Sequence, residues 1–369
     1  MAIGIGIGIS YGQRRRTFSP AALFANGEPG VWIDPLDPAT LFTDTAGTTQ
    51  AGIVDSVAAA RLLNDDTLAV QPTLASRPIL GRVPATGRRN LLTRTEEFDA
   101  NWNSFRSSIS PDATTPPSNV GILRADKLVE DTTAGNNHTI NRIISSSLAV
   151  GDYTFSVFAK AAERDNLILR VISDPASASI RHSVNFNLLS GEIVSTRTDS
   201  EATGTSESIT AVGNGWYRCS ITMNHSTTTR FDVQLLLFNT NILPSNPTYD
   251  GDGVSGVFIA GASLTEAATP YQRVGSQFDV TEAGVSSLRY LGDPSAASLP
   301  ATVPDLGTNA TLAYATEAGV AILTGQTIGA GELEILRGDR TYGLIANNRP
   351  WTDAETAGVT AWLNARIPS

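Results

Sequence analysis

Cysteine and lysine are nearly absent from this chain. One cysteine, Cys219, stands among 369 residues, so no intrachain disulfide can close and no cysteine cluster can hold zinc. The alternation Trp216-Tyr217-Arg218-Cys219-Ser220-Ile221 makes Cys219 a small buried hydrophobe. Such a chain suits assembly in a reducing cytoplasm. Of the 26 basic residues all but Lys127 and Lys160 are arginine, a bias that points to a GC-rich coding genome and carries no mechanism. Charge is also scarce, at 17% of residues against the usual quarter. Ser, Thr, Asn and Gly fill the deficit, and these favour turns and polar sheet faces over surface helices.

Further absences exclude whole function classes. The net charge is −10, and the one basic run is Arg14, Arg15 and Arg16. A nucleic-acid partner would need a larger basic footprint, so this run reads as a solvated or interface-facing turn. No stretch approaches 18 apolar residues, so no membrane insertion is expected, and Met1–Ser10 lacks the basic leader of a signal peptide. The three histidines, His138, His182 and His225, lie far apart without metal-ligand spacing and are expected at the surface or on edge strands. No nucleophile-elbow, P-loop or dinucleotide fingerprint is present, and residues 251–256 read as a hairpin turn. Glu96 and Glu97 are adjacent and expected at the surface. They do not form the spaced carboxylate pair of a glycosidase, so no catalytic residue is assigned and the chain reads as a non-enzyme.

What is present is β-sheet patterning. Ile3, Ile5, Ile7 and Ile9 alternate with glycines, giving a strand with a β-branched ridge and a bare face. It reads either as a virion-docking arm that adds to a neighbour's sheet or as a terminal strand of this chain's own sheet. Residues 1–89 as a whole read as an extended, turn-rich N-terminal region with too few apolar clusters for a core of its own. Residues 53–63 within it could be a short helix or a strand. Between 90 and 272, short alternating runs bounded by turns indicate a jelly-roll-type β-sandwich. Its expected strands are 122–129, 139–145, 152–160, 166–173, 181–188, 192–197, 206–212, 215–223, 230–238 and 256–264. Hairpin turns are expected at 188–192 and at the Asn214-Gly215 pair. Residues 273–369 form a smaller β-rich region ending in a helix, with Thr352 and Glu355 as a capping box and Val359, Trp362 and Leu363 on one face. The fold class is therefore mainly β.

Gly30-Val31-Trp32-Ile33-Asp34-Pro35, residues 41–47 and Ser76-Arg77-Pro78-Ile79-Leu80 together resemble the N-terminal region of tailed-phage structural proteins. Residues 90–98 with Trp102 resemble the opening of the carbohydrate-binding-module-like domain of phage tail fibres and spikes. The same domain's later motifs follow in order at 125–131, 153–160, 213–218, 250–253 and 259–262. The likeness covers roughly residues 25–270. It implies a virion component, such as a tail fibre, a decoration protein or the head spike of a gene transfer agent. Such a protein would be assembled in the bacterial cytoplasm, released by lysis and used for host attachment. The partners it implies are other virion proteins, further copies of this chain as a homo-oligomer, and host capsular or surface polysaccharide.

Sugar recognition uses aromatic faces and planar polar side chains. The candidates are Trp102 in its polar loop, Asn136, Asn137 and His138 at a second loop tip, and Tyr217 beside Trp216. Trp102 reads equally as a lid on the sandwich core. Of the pair Trp216 and Tyr217, one faces the core and the other faces out. No cofactor is expected, although Asp250 and Asp252 could share a structural calcium. A purely structural adaptor is the alternative function, and a polysaccharide depolymerase a third.

Overall fold

A computed structural model describes residues 18–144, 148–173, 180–225 and 231–369. The Ile3–Ile9 arm and Arg14–Arg16 lie outside the described residues. The chain divides into two compact units, one of residues 82–287 and one that joins the chain up to Gly81 with Leu288–Pro368.

The continuous unit is a sandwich of two six-stranded antiparallel sheets. In chain order its strands are β1 Asn103–Phe105, β2 Ser107–Ser110, β3 Asp126–Glu130, β4 His138–Ile144, β5 Gly151–Ala161, β6 Asn166–Ser173, β7 Ile180–Asn187, β8 Glu192–Thr198, β9 Ser206–Gly213, β10 Trp216–His225, β11 Phe231–Phe238 and β12 Gly256–Thr265. The first sheet runs β9-β10-β5-β12-β3-β2 and the second β8-β7-β6-β11-β4-β1. Period-2 alternation places β4 to β12 correctly to within two residues, because one face of each strand must be apolar. It misses β1 and β2, whose exposed Ser and Asn carry no such signal.

Between the sheets, Phe155, Val157 and Ala159 of β5 and Cys219, Ile221 and Met223 of β10 meet Leu167, Leu169 and Val171 of β6 and Val233, Leu235 and Leu237 of β11. All twelve are fully buried. Cys219 is thus a core residue, and burial pushes its thiol pKa up. Asn214 and Gly215 both have positive φ, 55° and 77°, as the two-residue turn between β9 and β10 requires. The expected strand over 122–129 begins instead at Asp126. Ile122 leaves the sheet to pack with Phe158 and Trp216 on its outer face.

The second unit is discontinuous in sequence. Gly30–Ile33 pairs antiparallel with Arg340–Asn347, which also pairs with Gly307–Thr316. A three-stranded sheet comprises Leu41–Phe42, Ala59–Arg61 and Leu68–Val70, so the undecided stretch 53–63 holds a short strand at 59–61 and no helix. Residues 18–81 differ here from the extended arm expected of them. Val31, Ile33, Leu41, Val57 and Leu62 share one core with Leu291, Leu312, Ile335 and Leu344, so apolar residues too sparse for a core alone complete one with a distant segment. The helix Asp353–Asn364 opens on the capping box of Thr352 and Glu355 and buries Val359 and Leu363. Trp362 packs edge-on against Trp32 at 6.2 Å, and Arg366 stacks 3.4 Å over Trp362 while pairing with Asp34.

Candidate functional site

The outer face of the first sheet has an unusual composition. Direct cross-strand partners share a face, and register therefore sets the rows across β9, β10, β5 and β12. One row is Thr210, Arg218, Phe158 and Ala260. The next is Ser208, Ser220, Ser156 and Ser263, and the one after is Ser206, Thr222, Thr154 and Thr265. Eight adjacent hydroxyl side chains thus lie beside one arginine and one aromatic ring.

At the Arg218 row the face deepens into a cleft of about 390 Å³. Phe158, Thr210, Val212 and Arg218 come from the sheet, and Asn119, Val120, Pro270, Tyr271 and Ala283 form the walls. A second cleft of about 330 Å³ is lined by Arg88, Arg89, Leu91, Thr265, Glu266, Ala267 and Thr269. Thr265, in the second cleft, lies two rows, or ~13 Å, from the Arg218 row, and the hydroxyls between them on β5 and β12, Ser156, Ser263 and Thr154, are buried.

Glu96 positions both walls of the first cleft. Its Oε1 accepts a hydrogen bond from the Tyr271 hydroxyl at 2.9 Å, and its Oε2 accepts from the Leu123 backbone N–H at 3.0 Å. Tyr271 also shares a 2.8 Å hydroxyl contact with Thr95 and meets the Phe158 ring edge-on at 5.8 Å. A β-bulge in β12 makes room for this packing: Gly261 has φ +57°, and a Cβ there would lie 2.9 Å from Ile122 and 3.1 Å from both Phe158 and Tyr271. Glu96, expected at the surface, is only 4% exposed, because its carboxylate ties two segments together. Burial raises its pKa, against the hydrogen bonds from Leu123 and Tyr271 and the charge of Arg273.

Arg218 is half-buried. Its Nε and Nη2 both donate to Ser156 Oγ, at 3.3 and 3.1 Å, and its guanidinium sits 5.8 Å from the Phe158 ring centre. Burial lowers its pKa. It remains a cation.

The five residues proposed from sequence do not converge on this cleft, and none lines it. Trp102 is 8% exposed and packs against Phe98 at 5.3 Å and Phe155 at 6.3 Å. It is the core lid, not an exposed platform. Asn136 bridges to Tyr249 through its backbone, and Asn137 Oδ1 accepts from Arg106 at 3.2 Å, so both close a loop. His138 is fully buried, its Nδ1 2.6 Å from the Arg106 carbonyl. His182 and His225 are buried too, beside Thr198 and Ser173, contrary to the surface placement expected. An imidazole offers ring area to the core and a nitrogen to a neighbouring oxygen, which suits sheet margins. Tyr217 faces inward, half-buried over Gly191, while Trp216 takes the outer face and is covered by the Ile122 segment.

Asp250 and Asp252 are engaged separately, Asp250 with the Gly135 N–H and Asp252 with Val254 and Ser255. Among the described residues no three His, Cys, Asp or Glu side chains gather as metal ligands would. The alternation of β5 and β10 puts Phe158 and Arg218 on the outer face with Lys160 and Trp216, a placement the sequence could have signalled. The walls from 119–123 and 270–283 leave no such signal.

No protein-family model and no curated protein sequence matches the chain. Similar solved structures include the enzymatically active domain of tailspike protein 4 from bacteriophage CBA120. It is 10% identical, with a TM-score of 0.29, over 48% of this chain and 21% of that one. TmCBM61 in complex with β-1,4-galactotriose is 14% identical, with a TM-score of 0.29, over 48% of this chain and 98% of that one. The mannan-recognising carbohydrate-binding module TmCBM27 is 12% identical, with a TM-score of 0.25, over 52% and 99%. The chain thus spans about a fifth of the tailspike domain it matches. These are likenesses of sandwich shape, and at such scores nothing further rests on them.

Proposed function

We propose that this protein is a non-catalytic attachment component of a phage-like particle, and that the cleft on the outer face of the first sheet seats a host surface saccharide. The observation that carries this reading is the cleft's make-up. Apolar walls, a planar cation and exposed polar groups stand together in it, which is the mixture a sugar's apolar face and hydroxyl rim demand. Among the described residues lining the cleft there is no carboxylate or imidazole, whereas glycoside hydrolysis employs a carboxylate pair. This favours holding over cutting. The motif order along residues 25–270 supports the particle setting, where several copies would turn weak single-site binding into avidity.

The test is binding of the purified chain to capsulated cells and to an array of bacterial polysaccharides. Thr210 is exposed on the edge strand β9 and lines the cleft, so Thr210→Trp should fill the site without disturbing the core. Binding that the wild type shows and the variant loses supports the reading. If neither protein binds any polysaccharide, the structural adaptor takes its place. Release of reducing ends from the polysaccharide would replace it with a depolymerase.

A further inference from the structure

We infer that the sugar unit seated in the first cleft is a hexuronate, with its carboxylate held by Arg218; this rests on the glycan-binding reading above. Buried or half-buried guanidinium groups are normally compensated by carboxylates. In the same unit Arg82, Arg89, Arg124, Arg164, Arg181 and Arg273 each pair with one. Among the described residues Arg218 has no carboxylate within ion-pair distance, and its guanidinium donates to Ser156 instead. Arg142 is a useful contrast. It too has no carboxylate partner among the described residues, but it donates to the Asn101 carbonyl and to Thr93 and does not line the cleft.

The donor inventory of Arg218 fits a carboxylate. A guanidinium has five N–H donors. Ser156 Oγ takes one from Nε and one from Nη2, which leaves both Nη1 donors and the second Nη2 donor. Those make the end-on fork that grips a carboxylate with two parallel hydrogen bonds. Among the described lining residues Arg218 is the one cation and no acid opposes it, in a chain whose net charge is −10.

The rest of the lining selects the kind of anion. Val120, Val212, Pro270 and Ala283 give apolar area that a pyranose ring can cover and an inorganic anion cannot use. Asn119 and Thr210 stand at exposed positions where ring hydroxyls would reach them. A single cation matches the single charge of a carboxylate better than the double charge of a phosphate.

The full chain should be titrated, by two-dimensional NMR or calorimetry, with glucuronate and galacturonate and with their neutral parents glucose and galactose. The expected result is that at least one hexuronate binds on the order of tenfold more tightly than its parent, as a charge-assisted pair allows, and that added salt weakens it. Arg218→Gln should abolish that preference. Arg218→Lys should keep part of it, since the charge remains and the fork is lost. If Arg218→Gln fails to fold, Thr210→Trp decides in its place by blocking hexuronate binding from an exposed position.

Equal affinity for hexuronate and parent overturns this inference and leaves the glycan reading standing. A hexuronate preference that survives both Arg218→Gln and Thr210→Trp overturns it as well, because the anion is then held elsewhere. Failure of all four sugars to bind overturns the inference, and the polysaccharide array then judges the glycan reading separately.

Discussion

At the scale of single residues, burial separates framework from site. Trp102 fills the core against Phe98 and Phe155, so Trp102→Ala should cost ~3–5 kcal/mol, read as a lower midpoint in urea unfolding. An exposed sugar platform would instead lose binding and keep its stability. Glu96 gives a pH prediction. Its pKa is raised in the fold above the ordinary 4.5, so folding disfavours its ionised form. The stability it contributes is fullest below pH 4.5 and declines as pH rises through its raised pKa. Glu96→Gln stays neutral and should flatten the stability–pH profile in that window, as followed by urea unfolding at a series of pH values. The polar loops around Trp102 and His138 suggested exposed side chains, because sequence alone reports a residue's neighbours along the chain. Arg218 stood inside a strand motif, where nothing marked its lack of a carboxylate.

At the scale of elements, local rules were legible. The helix Asp353–Asn364 begins where Thr352 and Glu355 said it would, because a capping box satisfies the first N–H groups from within four residues. Thr352→Ala should lower the helix's stability by about 1 kcal/mol, seen as faster amide exchange through its first turns. Hydrogen bonding from Arg349 is the chief cause that brings the Glu355 pKa down to about 2. Its contribution is therefore complete above pH 4.5 and lost as pH falls toward 2, a loss that Glu355→Gln should abolish in the same exchange measurement. Close approach of two backbones was not legible. A Cβ at Gly251 would lie 2.0 Å from the Asp131 carbonyl oxygen and 2.7 Å from His138 Cε1, so Gly251→Ala should cost ~2 kcal/mol or more, measured by thermal unfolding. In the sequence that glycine looked like any other turn residue.

At the scale of the whole molecule, the chain builds one continuous unit and one discontinuous unit. Every residue of the sandwich core lies between Leu92 and Leu264, so residues 82–287 expressed alone should unfold cooperatively and resist limited proteolysis. The core of the other unit draws on both ends of the chain. A protein truncated after residue 287 should therefore keep the sandwich intact while residues 18–81 become protease-sensitive. A digest in which both parts stay resistant would contradict this. The sequence by itself determined most strands of the sandwich, the two hairpin turns and the capped helix, because alternation, positive-φ turn residues and caps act over two to four residues. Only the tertiary structure decided that residues 18–81 complete a core with residues 291–346, that Trp102 is covered, and that Arg218 stands without a carboxylate beside Tyr271. Each of those depends on which distant segments come to lie together, and burial and charge compensation are properties of that meeting.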